Sequence, residues 1–99
     1  MKTKIISPAC ADKLKVLSDP TRLGVIETLM SGPKNVGELM DELDVEQSLL
    51  SHHLAILRDA GLVESSREGK TMIYQVPESV SDSTTAKSIH LGCCKISFD

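Results

Sequence analysis

Apolar residues recur with a helical period along most of this chain, then switch to a period of two beyond Gly61. Cys10, Leu14 and Leu17 stand at i, i+4 and i+7 and predict a short amphipathic helix that stops before Ser18-Asp19-Pro20. Asp19 is a good N-cap residue and Pro20 suits the first helical position. A second helix is therefore expected to bury Leu23, Ile26, Leu29 and Met30 and to end at Gly32-Pro33. Asn35 followed by Glu38 has the capping-box spacing, and Val36, Leu39, Met40 and Leu43 supply the stripe of a short third helix. After Asp44-Val45-Glu46 a fourth helix is expected from about Gln47 to Ala60, stopped by Gly61. Projected at 100° per residue, Leu50, His53, Leu54, Leu57 and Ala60 fall on one side, and Ser48, Ser51, His52, Ala55 and Asp59 on the other.

Leu62 to Arg67 and Thr71 to Val76 alternate as two strands joined through Glu68-Gly69-Lys70, with Met72, Tyr74 and Val76 sharing a face and Pro77 closing the hairpin. From Glu78 to Asp99 the pattern fades. With only Val80, Ala86 and Ile89 to bury, this stretch predicts a weak terminal helix and then an extended piece around Cys93 to Phe98. Two short helices joined by a tight turn and followed by a hairpin make a mainly α fold with a β-hairpin wing, the winged helix-turn-helix. The expected organisation is a winged-helix DNA-binding domain over residues 1–78 and a tail with a cysteine pair over 79–99.

Composition fits that architecture. A chain of 99 residues, 40% hydrophobic and 25% charged, with one Tyr, one Phe and no Trp, has the size of one domain and an aliphatic core. No apolar run approaches the roughly 20 residues that span a bilayer, and the start lacks a signal-type segment, so a cytoplasmic protein without a membrane partner is expected. A net charge of -3 pulls against nucleic-acid binding. A DNA surface would need a local basic patch, for which Arg22, Lys34, Arg58, Arg67 and Lys70 are the candidates. Three cysteines, an odd number with Cys93 and Cys94 adjacent, do not form a disulfide framework; in a reducing compartment they are free thiols or metal ligands.

A helix that enters the major groove must present short polar groups on its outer side. Ser48, Ser51, His52 and Ala55 form such a strip, although periodicity alone suits a merely solvated helix face equally well. Helix N-terminal amides near Gln47 and Ser48 suit a phosphate. Phosphate-binding glycine loops, HExxH and a nucleophile with an evident base are all missing from the sequence, so an enzyme is not expected. A winged-helix module that binds protein rather than DNA is the competing class.

Four ordered motifs carry a resemblance. Leu17-Ser-Asp-Pro-Thr-Arg-Leu23, Val36-Gly-Glu-Leu-Met-Asp-Glu-Leu43, Gln47-Ser-Leu-Leu-Ser-His-His-Leu54 with Leu57-Arg-Asp-Ala-Gly-Leu-Val63, and Arg67-Glu-Gly-Lys70 before Tyr74 together resemble the ArsR/SmtB family of metal-responsive repressors. The likeness runs from about Leu14 to Val76. It implies a homodimeric winged-helix repressor that binds double-stranded operator DNA without a cofactor and leaves when an inducer binds. Carried over by position, Gln47, Ser48, Ser51 and His52 match recognition-helix contacts, while Arg67 and Lys70 match wing contacts to phosphate. His53 projects to the buried side and suits helix packing better than DNA or metal. Arg22 suits either a backbone phosphate or a surface ion pair. Glu46 stands where the family places Ser or Thr as N-cap, which weakens the cap and adds negative charge near the expected phosphate.

The departures from the family bear on what is sensed. Its third-helix thiolate site needs cysteines, and Glu38-Leu-Met-Asp-Glu-Leu43 has none. Its terminal-helix zinc site needs an Asp-x-His pair, whereas Asp82 is followed by Thr84 and only His90 remains. The candidate ligands are instead Cys93 and Cys94, joined by Cys10 of the partner subunit if the first and last helices meet at a family-type interface. Thiolates at three positions suit As(III) or Sb(III), soft ions that exchange hydroxide for sulfur. A mixed His90 and Cys93 site for zinc, cadmium or copper, and a redox or persulfide switch among the same thiols, stay open.

Overall fold

The computed structural model describes residues 8–81 and 87–98. Its elements run α1 (Pro8–Val16), α2 (Pro20–Leu29), β1 (Lys34–Asn35), α3 (Val36–Leu43), α4 (Gln47–Asp59), β2 (Glu64–Glu68), β3 (Thr71–Gln75), β4 (Ser88–His90) and β5 (Lys95–Ser97). The helix starts follow from side-chain chemistry. Asp19 accepts from the backbone amides of Thr21 at 2.8 Å and Arg22 at 3.0 Å, satisfying donors that the first turn leaves without partners. Asn35 and Glu38 close a reciprocal capping box, each bond 2.9 Å long. Glu46 also caps: its carboxylate accepts the Leu49 amide at 2.7 Å, so the departure from Ser or Thr does not leave α4 uncapped. The longer side chain reaches the same amide that a Ser hydroxyl would.

Between α3 and α4 the chain turns at Asp44, whose φ of 52° is left-handed. Asp tolerates that region better than most residues, and the turn sets the two helices in their helix-turn-helix relation. The hairpin of β2 and β3 turns at Gly69, with φ of 62°, and pairs Glu64 with Gln75 through to Glu68 with Thr71. β1, unforeseen in the sequence, adds to the other edge of β3 through Lys34↔Tyr74 and Asn35↔Ile73. Two residues are too few to display a period.

The core joins Val25, Ile26 and Leu29 of α2, Leu39 of α3, Leu50, Leu54 and Leu57 of α4, and Leu62 and Val63 ahead of the wing. Leu14, expected in the buried stripe of α1, is instead 41% exposed, while Cys10 and Leu17 are buried. The tail also departs from expectation. Residues 88–97 form an antiparallel hairpin, not a helix, with Ile89 opposite Ile96 and a turn that uses Gly92 at φ 94°. Ser-Ile-His and Lys-Ile-Ser alternate with period two around that glycine, which explains the outcome. Val80, Ile89 and Leu91 enter the main core, and the His90 amide donates to the Val80 carbonyl at 2.7 Å, so the tail hairpin is packed onto the winged domain. Asp82, Thr84 and Ala86 lie outside the described residues.

Candidate functional site

α4 divides its residues as its periodicity requires. Leu50, His53, Leu54 and Leu57 are buried, Ser48, Ser51 and His52 are exposed on the outer side, and Gln47 is exposed in the first turn. Ala55, placed on that outer side by projection, is half-buried. Leu49 is exposed beside the strip at 46%, an apolar group that the pattern of short polar residues did not single out. Apolar contact of this kind is what a thymine methyl offers in the major groove. Arg67 is exposed on β2 of the wing and Lys70 is exposed in its turn. Of the other basic candidates, Lys34 lies 3.9 Å from Glu42, an exposed partner that offsets part of its charge.

Arg22 is half-buried, and its guanidinium is engaged within the protein. Its Nε donates to the Val16 carbonyl at the end of α1 at 2.6 Å, and its NH1 lies 3.2 Å from Nδ1 of the buried His53. Guanidinium has no acceptor, so Nδ1 of His53 accepts. The His53 ring in turn meets the His52 ring edge-on, with centroids 5.5 Å apart and planes at 60°. Asp19 completes this corner, and the Arg22 amide hydrogen bond is the main reason its carboxyl titrates below the ordinary carboxylate value, against a smaller opposing effect of desolvation. Sequence reasoning found His53 on the buried side but not its partner, because the two residues are 31 positions apart and only packing brings them together.

The second cluster is made of sulfur. Sγ atoms of Cys10, Cys93 and Cys94 all lie within 4.8 Å of one another, Cys10 buried and the other two exposed. Cys10 and Cys93 are joined as a disulfide with Cα atoms 6.2 Å apart, and Cys94 is free. Two expectations change. Cys10 reaches the tail within its own subunit, whereas the family-type interface placed it across a dimer. The odd cysteine count also did not prevent a disulfide, because the tail hairpin folds back onto the start of α1. His90 does not belong to this three-sulfur group. Three sulfurs are one ligand short of the tetrahedral set that structural zinc takes, and thiolates suit soft ions.

Among the described residues no helix is long and apolar enough to cross a membrane. Residues 19–65 match the profile of the bacterial regulatory proteins of the arsR family. The biofilm growth-associated repressor of Agrobacterium fabrum is 45% identical over 65 residues, 66% of this chain, and this chain spans only 56% of that relative's length. The crystal structure of the transcriptional repressor BigR from Xylella fastidiosa superposes with a TM-score of 0.65 at 41% identity, covering 69% of each chain. The solution structure of the homodimeric winged helix-turn-helix DNA-binding domain of Mb0332 from Mycobacterium bovis superposes at 0.66 with 28% identity, covering 69% of this chain and 63% of that one. With two capped helices about a left-handed turn, a wing beside them, and a BigR structure matched over more than two thirds of its length, this chain belongs to the arsR family of bacterial regulatory proteins.

Proposed function

We propose that the protein is a transcriptional repressor that holds double-stranded operator DNA as a homodimer and releases it when Cys10, Cys93 and Cys94 bind a thiophilic inducer, As(III) or Sb(III). The observation that carries the inducer reading is the convergence of three sulfurs within 4.8 Å without a carboxylate or imidazole among them. Arsenous acid exchanges its three hydroxides for three thiol sulfurs, forming three As–S bonds and releasing three waters, with no change in oxidation state. Cys10 and Cys93 enter that reaction only after a dithiol or phosphine has reduced their disulfide by two electrons. The outer strip of α4, with Gln47, Ser48, Ser51 and His52, reads base edges, and Arg67 and Lys70 hold phosphate from the wing. Exposed Leu14 on α1 and the homodimeric state of the Mycobacterium bovis relative support pairing of two subunits. Because the three sulfurs come from one chain, the expected stoichiometry is one ion per subunit.

A second reading of the same thiols is favoured by the Cys10–Cys93 link, whose Cα separation of 6.2 Å lies inside the range that disulfides use. In it, oxidation and reduction of that pair are themselves the signal. One experiment separates the two. Operator DNA binding is followed by fluorescence anisotropy with phosphine-reduced protein, titrated with arsenite, antimonite, zinc or cadmium, and in parallel with oxidised protein. Arsenite-driven release from reduced protein, lost in Cys94→Ser, supports the metalloid site. Release on oxidation that persists in Cys94→Ser, with no response to arsenite, supports the redox pair. Affinity that is weak and insensitive to salt overturns DNA binding altogether, since neutralised phosphates impose a steep salt dependence.

A further inference from the structure

The sulfur cluster and the reading strip are built on different elements, and the side chain of Arg22 makes a polar connection between them. α1 carries Cys10 in its first turn and presents the Val16 carbonyl at its other end, six residues on and so about 9 Å along the axis. That carbonyl accepts from Arg22 Nε at 2.6 Å, Arg22 NH1 donates to Nδ1 of His53 at 3.2 Å, and His53 meets the ring of exposed His52 edge-on at 5.5 Å. His53 is only 7% exposed, and among the described residues no buried side-chain polar atom lacks a partner, so the guanidinium is part of what satisfies this buried imidazole. The bonds are specific to a planar fork: a single guanidinium serves a carbonyl on one side and a ring nitrogen on the other, which a lysine ammonium cannot reproduce.

The geometry points to Arg22 as a positioning residue that conveys the state of the sulfur cluster to the reading helix. Any displacement of α1 caused by ligation or oxidation at Cys10 moves the Val16 carbonyl, because a helix of nine residues moves as a unit. The guanidinium must follow or give up one of its two bonds. Either response changes the hydrogen bond at His53 and with it the placement of His52 on the outer strip. The inference rests on the assignment of Cys10 to the sensing site and adds the route by which that site acts.

The test uses full-length protein labelled with ¹⁵N at histidine, with His52 and His53 assigned through His52→Gln and His53→Gln. Their ring nitrogens are recorded by NMR in the oxidised, the phosphine-reduced and the arsenite-treated protein. Both rings are expected to shift between oxidised and reduced protein. Arg22→Lys is expected to abolish those shifts while leaving the number of reactive thiols unchanged. Operator affinity read in parallel is expected to change by about 5- to 150-fold between states in the wild type and by less than about 3-fold in Arg22→Lys. If Arg22→Lys fails to fold, His53→Gln carries the test through the remaining His52 signal, which should lose its response. Identical ring signals in oxidised and reduced wild type, or a full response in Arg22→Lys, overturn the inference. An arsenite arm without effect beside an intact redox arm refutes the metalloid reading alone and upholds this route, since oxidation perturbs Cys10 without any ion.

Discussion

Asp19 shows how much one side chain settles in this protein. Its carboxylate accepts two amides at the start of α2, and the second of these belongs to Arg22, whose side chain reaches the end of α1 and the interior of α4. Asp19→Ala should therefore cost about 1 kcal/mol or more, read by urea denaturation at neutral pH. The pH dependence has a definite sign. Because the folded carboxyl titrates below its unfolded value, Asp19 adds stability above about pH 4, and that contribution disappears as the pH falls through its folded pKa. The stability gap between wild type and Asp19→Ala should accordingly narrow between neutral pH and the acid limb; a gap that widens there refutes the assignment. Asp44 is the other instructive residue. At φ of 52° it gains little from its Cβ, so Asp44→Gly should be close to neutral. A β-branched residue has no comfortable place there, and Asp44→Val should lose about 1–2 kcal/mol in the same assay.

At the scale of elements, the proposed function gives α4 and the wing different parts in contacting DNA, which substitutions can separate. Ser51 and His52 are exposed on α4, Arg67 is exposed on β2, and Lys70 is exposed in the hairpin turn beside Gly69. Removing a phosphate contact weakens binding to all sequences alike and flattens the salt dependence. Arg67→Ala and Lys70→Ala should each lower the slope of log affinity against log salt by about 1. His52→Ala should instead narrow the gap between operator and random DNA, by about 1–3 kcal/mol, and leave the slope nearly unchanged. Anisotropy titrations at several salt concentrations, on operator and random duplexes, distinguish the two patterns. Identical effects of all these substitutions would mean that α4 does not sit in the groove.

The whole molecule is tied together by its ends. The tail hairpin contributes Ile89 and Leu91 to the core, and the Cys10–Cys93 link closes a loop across a separation of 83 residues. A loop of that length restricts the unfolded chain strongly, by on the order of 4 kcal/mol in the chain-entropy treatment. Reduction by phosphine should lower the urea midpoint accordingly, and Cys10→Ser should abolish the difference. A midpoint unchanged by reduction would show that the link is absent in solution. The same closure makes the three-sulfur cluster a property of tertiary structure, for neither end of the chain holds three sulfurs by itself.

What could be read directly from the sequence is whatever local chemistry dictates. Caps at Asp19 and Asn35, the helical stripe of Leu50, His53, Leu54 and Leu57, and the alternation around Gly69 depend on neighbours a few positions apart, and each appears in the structure where the residues require it. The exposed strip of Ser48, Ser51 and His52 follows from the same stripe. Folding in three dimensions decided the rest: the pairing of β1 with β3, the exposure of Leu14, the docking of the tail hairpin on the core, the Arg22 to His53 bond and the meeting of Cys10 with Cys93. For most of these the partners stand 31 to 83 positions apart, a separation at which no periodicity survives and only the packing of the core chooses who meets whom.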